Sequence, residues 1–194
     1  GERPAYTYRD AGIYTVALNA DGTRVVTGSE DFTARIWDGG TGAELHSLPH
    51  GHKVVSVAIS PDDRLVLTAS YDTTARVWDL ATGKLVSEMR GHAAPLCHIA
   101  FAPGSREVAT ACVDYTARLW TVRPAQPLLL EPGGDLVVCS ADIAADGTRV
   151  VEAYLGCNTG RVLDLAPPRE IARLEGHPAP IPPPPSAAPG PRTS

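Results

Sequence analysis

Short runs of alternating apolar and polar residues dominate this chain, and turn-forming residues separate them. The clearest stretch, residues 52–92, reads HKVVSVAISPDDRLVLTASYDTTARVWDLATGKLVSEMRGH. It contains four runs rich in Val, Thr, Ile and Leu, and Gly, Pro and Asp residues bound them. Runs of this kind are typical of β-strands. The pattern therefore predicts four short strands joined by tight turns in this stretch.

The same pattern recurs along the chain. Three phrases carry a tryptophan near their end: DFTARIWD (31–38), YDTTARVWD (71–79) and VDYTARLWT (113–121). A weaker fourth phrase, CNTGRVLDL (157–165), has Leu163 in the place of the tryptophan. These positions recur about every 41 to 43 residues, which is the period of propeller blades. The sequence is therefore an array of four similar units.

The repeats resemble the WD40 family, whose unit carries Gly-His near one end and Trp-Asp near the other. The resemblance implies an all-β fold of four antiparallel blades with four strands each. We assign the array to residues 1–177, with blades near 5–41, 42–82, 83–124 and 125–175. The resemblance implies about seven or eight blades in a closed ring, so four blades predict an open or incomplete propeller. The proline-rich residues 178–194 are predicted to be a disordered tail.

The resemblance also implies a structural hydrogen-bond network in each blade, formed by a His, a Ser or Thr, an Asp and the Trp. The matching residues are His52, Thr68, Asp72 and Trp78, then His92, Thr110, Asp114 and Trp120, and in the first unit Thr27, Asp31 and Trp37. Ser70 alternates onto the same strand face as Thr68, so either hydroxyl fits the pattern. The first unit has Asp10-Ala11 where Gly-His is expected, and the fourth has Glu152 for the threonine and Asn158 near the Asp position.

Catalytic and metal-binding interpretations fit these residues less well. A catalytic triad could combine His52 and Asp72 with Thr68 or Ser70, but the same arrangement would recur in the next unit, and catalytic groups are seldom duplicated. The sequence contains no GxSxG, phosphate-binding or HExxH motif. His50-Gly51-His52 lacks a clear third ligand and is interpreted as a turn. The cysteines show no CxxC spacing and are interpreted as reduced, buried thiols: Cys97, Cys112, Cys139 and Cys157. We predict no catalytic, metal or cofactor site.

Charge and hydropathy limit the partners and the location. The net charge is −5, and no basic stripe is present to follow phosphates, so we predict no nucleic-acid partner. No apolar stretch approaches the length of a membrane span, and GERPAYTYRD at the start lacks a signal-peptide core. These features predict a soluble, cytoplasmic protein without a membrane partner.

Function is expected to follow from shape. Rigid scaffolds that carry variable loops recognise other macromolecules, and the resemblance implies a loop face that binds proteins or peptides. The matching partner-binding positions are Tyr71, Lys53, Val55, Glu30, Val113, Pro95 and Tyr14. Tyr71 is the expected anchor, because an exposed tyrosine supplies contact area at low entropic cost. We interpret the protein as a non-catalytic interaction scaffold or adaptor, and open blade edges also predict self-association.

Two alternatives stay open from the sequence. The array could be the regulatory propeller of a larger signalling protein that carries a kinase or NTPase motif elsewhere. A propeller enzyme would need carboxylates or histidines converging from several blades at one height, and the repeat positions show no such set.

Overall fold

A computed structural model describes residues 11–122, 127–129, 137–144, 146–155, 159–165 and 168–175. These residues form strands arranged in four antiparallel sheets of four strands each. The predicted all-β fold of four four-stranded blades is therefore confirmed. In the ranges given above, no helix has the length and apolarity needed to cross a membrane. The predicted tail, 178–194, lies outside the described residues.

Each blade consists of four strands that are consecutive in the chain. The first blade contains β1 (Ile13–Leu18), β2 (Arg24–Ser29), β3 (Thr33–Asp38) and β4 (Glu44–Pro49). The second contains β5 (Val54–Ile59), β6 (Leu65–Ser70), β7 (Ala75–Asp79) and β8 (Leu85–Met89). The third contains β9 (Leu96–Phe101), β10 (Glu107–Cys112), β11 (Ala117–Thr121) and β12 (Pro127–Leu129). The fourth contains β13 (Val138–Ile143), β14 (Arg149–Tyr154), β15 (Gly160–Leu165) and β16 (Pro168–Leu174).

The blades are offset from the limits expected from the sequence. A second blade at 42–82 would include β4 and omit β8, but β4 pairs with β3 in the first blade. The turn after β3 explains the difference. Asp38 accepts hydrogen bonds from the amides of Gly40 and Thr41 and from the Thr41 hydroxyl, while Gly42 takes a left-handed φ of 73°. This tight turn returns the chain onto β3, so the fourth strand belongs to the blade that precedes it.

Neighbouring blades pack face to face, with β1 against β5, β5 against β9 and β9 against β13. In the interface between the first two blades, Ile36 and Leu48 of the first meet Val66 and Trp78 of the second. Trp120 lies in the next interface, and the corresponding Leu163 lies in the last one. The tryptophan position of each of these blades therefore packs against the preceding blade, which explains why a large ring is needed there.

A β-bulge interrupts the pairing near the start of the first strand in every blade. The extra residues at these bulges are Tyr14, Val55, Cys97 and Cys139. Bulges increase strand twist and redirect the side chain of the extra residue. The bulges therefore redirect the side chain of one equivalent residue at the same end of each blade.

Candidate functional site

A chain of polar side chains crosses the interior of the third blade. Trp120 Nε1 donates to Thr110 Oγ1 over 2.9 Å, and Thr110 Oγ1 lies 2.7 Å from His92 Nε2. His92 Nδ1 lies 3.0 Å from Asp114 Oδ2. Because an indole N–H can only donate and a carboxylate can only accept, Thr110 donates to Nε2 and neutral His92 donates from Nδ1. All four side chains are thereby hydrogen-bonded, and each one donates to the next from Trp120 to Asp114.

The second blade has the same chain of hydrogen bonds, but it begins at His50. His50 Nε2 lies 2.7 Å from Thr68 Oγ1, His50 Nδ1 lies 3.3 Å from Asp72 Oδ2, and Trp78 Nε1 donates to Thr68 Oγ1 over 2.9 Å. The assignment of His52 to this network is corrected, because His52 is exposed. His50 precedes Thr68 by 18 residues, as the equivalent histidine precedes its threonine in the third blade. That spacing, rather than the Gly-His dipeptide, is the signal that finds the residue.

In the first blade, Trp37 Nε1 donates to Thr27 Oγ1 over 2.9 Å. Asp31 accepts hydrogen bonds from the amide and hydroxyl of Thr33 and from the guanidinium of Arg35. Asp10, which stands near the expected histidine position, lies outside the described residues. Thr27 and Trp37 therefore pair as their equivalents do, and Asp31 binds the turn and the arginine of its blade as Asp72 does in the second blade.

The fourth blade has a buried ion pair in place of the threonine–histidine–aspartate chain. Glu152 is fully buried, and its Oε2 accepts hydrogen bonds from Arg161 Nε at 2.5 Å and from the Tyr154 hydroxyl at 3.2 Å. Burial and the neighbouring Glu152 carboxylate raise the pKa of Tyr154, so its hydroxyl stays protonated and donates. Leu163 is buried at the tryptophan position. Asn158, the expected substitute for the aspartate, lies outside the described residues.

The structure also distinguishes the two hydroxyls left open in the second blade. Ser70 Oγ donates to the His52 carbonyl over 2.9 Å and accepts from the Asp72 amide over 3.0 Å, whereas Thr68 Oγ1 bonds to Trp78 and His50. In the third blade Cys112 stands in this position. Its thiol lies 3.0 Å from the Ala94 carbonyl and accepts from the Asp114 amide. Thr68 is therefore the network hydroxyl, and Ser70 holds the adjoining loop.

One group of side chains has the composition of a metal site. Ligand atoms of His92, Cys112 and Asp114 lie within 4.8 Å of one another. Burial raises the pKa of the Cys112 thiol to about 12, which opposes the thiolate that a metal ligand requires. Ser70 makes the same contacts in the neighbouring blade without being a comparable ligand. The three groups are therefore explained as hydrogen-bonding partners.

The electrostatics of the two complete networks favour neutral histidines and ionised aspartates. Burial lowers the pKa of His50 and His92, and this effect exceeds the opposing effect of their aspartate partners. Burial raises the pKa of Asp72 and Asp114. The hydrogen bonds that these carboxylates accept outweigh that effect and hold their pKa values well below the usual range. Near neutral pH, the histidine of each network is therefore neutral and the aspartate is ionised, as the hydrogen-bond directions require.

The stability of the protein should decrease as the pH falls through the histidine range. The histidine pKa values are lower in the folded chain than in the unfolded chain, so the unfolded chain takes up protons first. The contribution that neutral His50 and His92 make to the free energy of unfolding should be complete above about pH 6.5. Below that pH it should decline by at most about 1.4 kcal/mol per pH unit for each residue. Urea unfolding between about pH 7.5 and 5.5 measures this slope.

The variant pair His50→Gln/His92→Gln should flatten this pH dependence over the same interval. His52→Gln provides the matched control, because His52 is exposed and lies beside the network in the chain. That control should retain the slope of the original protein. An unchanged slope in the double variant would contradict the assignment of the titration to the buried histidines.

A group of side chains, all exposed except the half-buried Lys53, crosses the first two blades at the end where β2 turns into β3. We call it the aromatic surface, and its members are Tyr14, Glu30, Phe32, His52, Lys53 and Tyr71. The ring centroids of Phe32 and His52 lie 5.1 Å apart, and those of His52 and Tyr71 lie 5.9 Å apart. Lys53 Nζ lies 4.7 Å from the Tyr71 ring centroid. Three aromatic rings and an ammonium group therefore form one continuous patch.

Polar contacts extend this patch along the first blade. Lys53 Nζ lies 5.3 Å from the Tyr14 ring centroid, so the ammonium group lies between two tyrosine rings. The Tyr14 hydroxyl donates to Glu30 Oε1 over 3.2 Å. These contacts bring together four of the residues expected to bind a partner, and they add Phe32 and His52, which sequence reasoning did not include.

The other expected positions lie elsewhere on the same rim. The Val113 amide donates to the Pro95 carbonyl over 3.1 Å, as the Tyr71 amide donates to the Lys53 carbonyl in the second blade. Val113 and Pro95 are therefore the third-blade equivalents of residues in the aromatic surface. Val55 is half-buried at the bulge of its strand.

Phe32 occupies a conformation that its side chain disfavours. Its φ is 72°, and the equivalent turn residues Thr73 and Tyr115 have φ values of 70° and 68°. A left-handed backbone costs a non-glycine residue about 1–2 kcal/mol. Phe32 is also 45% exposed, so little burial offsets this cost. The shared φ makes this left-handed turn a feature of the repeat, and in the first blade the turn holds an exposed phenylalanine ring beside His52.

Comparison with known sequences identifies the repeat. Residues 2–38, 42–79 and 83–121 each match the family described as "WD domain, G-beta repeat", and together they cover more than half of the chain. The chain belongs to the WD40 repeat family. This WD40 chain is similar to the serine-threonine kinase receptor-associated protein of Gallus gallus, with 43% identity over 44 residues, which is 23% of this chain and 13% of that protein. The Homo sapiens protein of the same name is 43% identical over 42 residues, 22% of this chain and 12% of that protein. The match thus spans only about an eighth of either relative.

Proposed function

We propose that this WD40 protein is a non-catalytic scaffold or adaptor that binds a protein partner on the aromatic surface. One observation carries the proposal. Aromatic side chains from two blades lie exposed in a continuous row, with Lys53 between the rings of Tyr14 and Tyr71. Contiguous exposed aromatic area is enriched where proteins bind one another, and tyrosine is a frequent energetic anchor.

The chemistry of the surface supports a peptide segment or protein edge with an apolar side chain near charged groups. The rings of Phe32 and Tyr71 offer apolar area that loses little side-chain entropy on binding. Lys53 and Glu30 add charges of opposite sign beside that area, and such charges set the orientation of a partner. The relatives named above carry the name "serine-threonine kinase receptor-associated protein", which supports a protein as the class of partner.

Three further features support the same proposal. The histidines and aspartates that a catalytic site would use are engaged in the strand-linking networks of the second and third blades. The net charge of −5 does not favour nucleic acid. The buried, hydrogen-bonded thiol of Cys112 suits a reducing compartment and supports a cytoplasmic location as part of the proposal.

A pair of glycine substitutions tests the proposal without disturbing the fold. Phe32→Gly and Thr73→Gly each relieve a left-handed residue at the same turn position, so each should stabilise the protein by up to about 1 kcal/mol. Only Phe32→Gly removes a ring of the aromatic surface. We expect it to weaken capture of the principal partner recovered from cell extract at least tenfold, about 1.4 kcal/mol, whereas Thr73→Gly leaves capture unchanged.

Thermal melts and affinity measurements with the isolated partner provide the two readouts. The variant pair Tyr71→Ala/Lys53→Ala should lose binding to a similar degree while its melting temperature stays near that of the original protein. Full binding by both this variant and Phe32→Gly would place the partner on another surface.

A further inference from the structure

The extra residue at the first-strand bulge is a cysteine in both the third and the fourth blade. Cys97 lies near the start of β9, and Cys139 lies near the start of β13. Tyr14 and Val55 occupy the same position in the other two blades. Because β9 and β13 pack against each other, the two equivalent cysteines lie on neighbouring strands across one blade interface.

Hydrogen bonds connect the surroundings of the two cysteines directly. The Cys97 thiol donates to the Val138 carbonyl over 3.2 Å, and Val138 is the residue before Cys139. His98 Nδ1 lies 3.1 Å from the carbonyl of Ala141, two residues after Cys139. Two consecutive side chains of β9 therefore reach the backbone of β13 on either side of Cys139.

The two thiols also influence each other electrostatically. Burial, followed by the neighbouring Cys139 thiol, raises the pKa of Cys97 to about 11. A second group of the same charge has this effect when it lies nearby. Cys97 therefore keeps its proton near neutral pH, and the proton is held by the Val138 carbonyl.

Part of each thiol is accessible. Cys97 and Cys139 are both half-buried, whereas Cys112 is completely buried. Val55 is half-buried as well, although its blade, like that of Cys97, has a neighbouring blade on each side. Partial accessibility is therefore a property of the bulge position, and a small oxidant can reach a cysteine there.

We propose that Cys97 and Cys139 form a redox-sensitive pair that closes to a disulfide between the third and fourth blades. The oxidant is a peroxide. Cys139 reacts first, because Cys97 holds its proton, and the peroxide oxidises its thiol to a sulfenic acid with release of one water. The Cys97 sulfur then forms the S–S bond, and its proton leaves with the sulfenic hydroxyl as a second water. Two electrons thus pass from the two sulfurs to the peroxide.

The disulfide changes the stability of the protein in a measurable way. It closes the chain between residues 97 and 139 into a covalent loop, which restricts the unfolded chain. It also fixes β9 to β13, so the fourth blade can no longer separate from the third. We therefore expect the oxidised protein to melt about 5–15 °C higher than the reduced protein. An excess of a small thiol should reverse the change by thiol–disulfide exchange.

Hydrogen peroxide treatment of the folded, reduced chain tests the proposal, with peptide mapping in the absence of reducing agent. We expect one linked pair of peptides, containing Cys97 and Cys139, which dithiothreitol separates. Cys97→Ser and Cys139→Ser should each abolish the link and the rise in melting temperature. Cys112→Ser is the matched control, because Ser70 fills the equivalent position in the second blade, and it should retain both effects. Melts of the reduced variants check that they remain folded.

Phenylarsine oxide adds a measurement that needs no oxidation, because it bridges two adjacent thiols with loss of one water. Mass spectrometry should show one bound arsenical in the original chain and in Cys112→Ser, and none in Cys97→Ser or Cys139→Ser. A disulfide from either cysteine to Cys157 or to another chain would overturn the proposal. So would arsenical binding without disulfide formation, or a rise in melting temperature that persists in the Cys97→Ser and Cys139→Ser variants.

Discussion

Replacing Arg161 with methionine should destabilise the protein by about 3–5 kcal/mol, because the change leaves the Glu152 carboxylate without its cation in a fully buried position. The Tyr154 hydroxyl would still donate to Glu152, but one neutral hydrogen bond does not compensate a buried charge. Urea unfolding of the variant and of the original protein measures the difference.

The double variant Glu152→Met/Arg161→Met is the matched control. Removing both charges leaves apolar side chains of similar length, so its stability should lie close to that of the original protein. If the single variant were as stable as the double variant, leaving Glu152 buried without Arg161 would not destabilise the protein, which contradicts the prediction.

Replacing Thr110 or Thr68 with valine should lower the free energy of unfolding by about 2–4 kcal/mol. Each threonine hydroxyl accepts from a tryptophan N–H and donates to a histidine nitrogen, so valine leaves two buried polar groups without partners. Valine retains the volume of threonine, so the loss reports on hydrogen bonding more than on packing.

Thr27→Val in the first blade provides the matched comparison. Thr27 accepts from Trp37 in the same geometry, and no contact with a histidine is present among the described residues. We therefore expect a smaller loss of about 1–2 kcal/mol. Thermal and urea unfolding of the three variants give the ranking. Equal losses in the three blades would mean that the histidine contributes nothing through the threonine.

The networks also connect stability with the proposed binding surface. Asp72 accepts hydrogen bonds from the Gly51 amide and from Thr74, so it holds the loop that precedes His52 and the turn that follows Tyr71. Asp31 holds Thr33 in the same way, directly after Phe32. The carboxylates that complete the blade interior therefore also fix the positions of the exposed rings, and this preorganisation lowers the entropic cost of binding.

The amino-acid sequence by itself determined the four-stranded blades. Alternating apolar residues and turn residues such as Asp38 and Gly42 act over a few positions, so each strand and turn is specified locally. The hydrogen bond between threonine and tryptophan could also be predicted from the sequence, because the two residues lie 10 positions apart on strands joined by one turn. The WD40 repeat pattern then predicts the same features in each repeat.

The tertiary structure replaced His52 with His50 in the network, and only it brought Phe32 beside His52. A Gly-His dipeptide has the same local sequence wherever it stands, whereas the network requires the imidazole to reach Thr68 across the blade. Phe32 and His52 come from different blades, and the ion pair of Glu152 and Arg161 depends on strand pairing in the fourth. Contacts between chain segments that are distant in sequence depend on how whole blades pack, and no local pattern of residues specifies that packing.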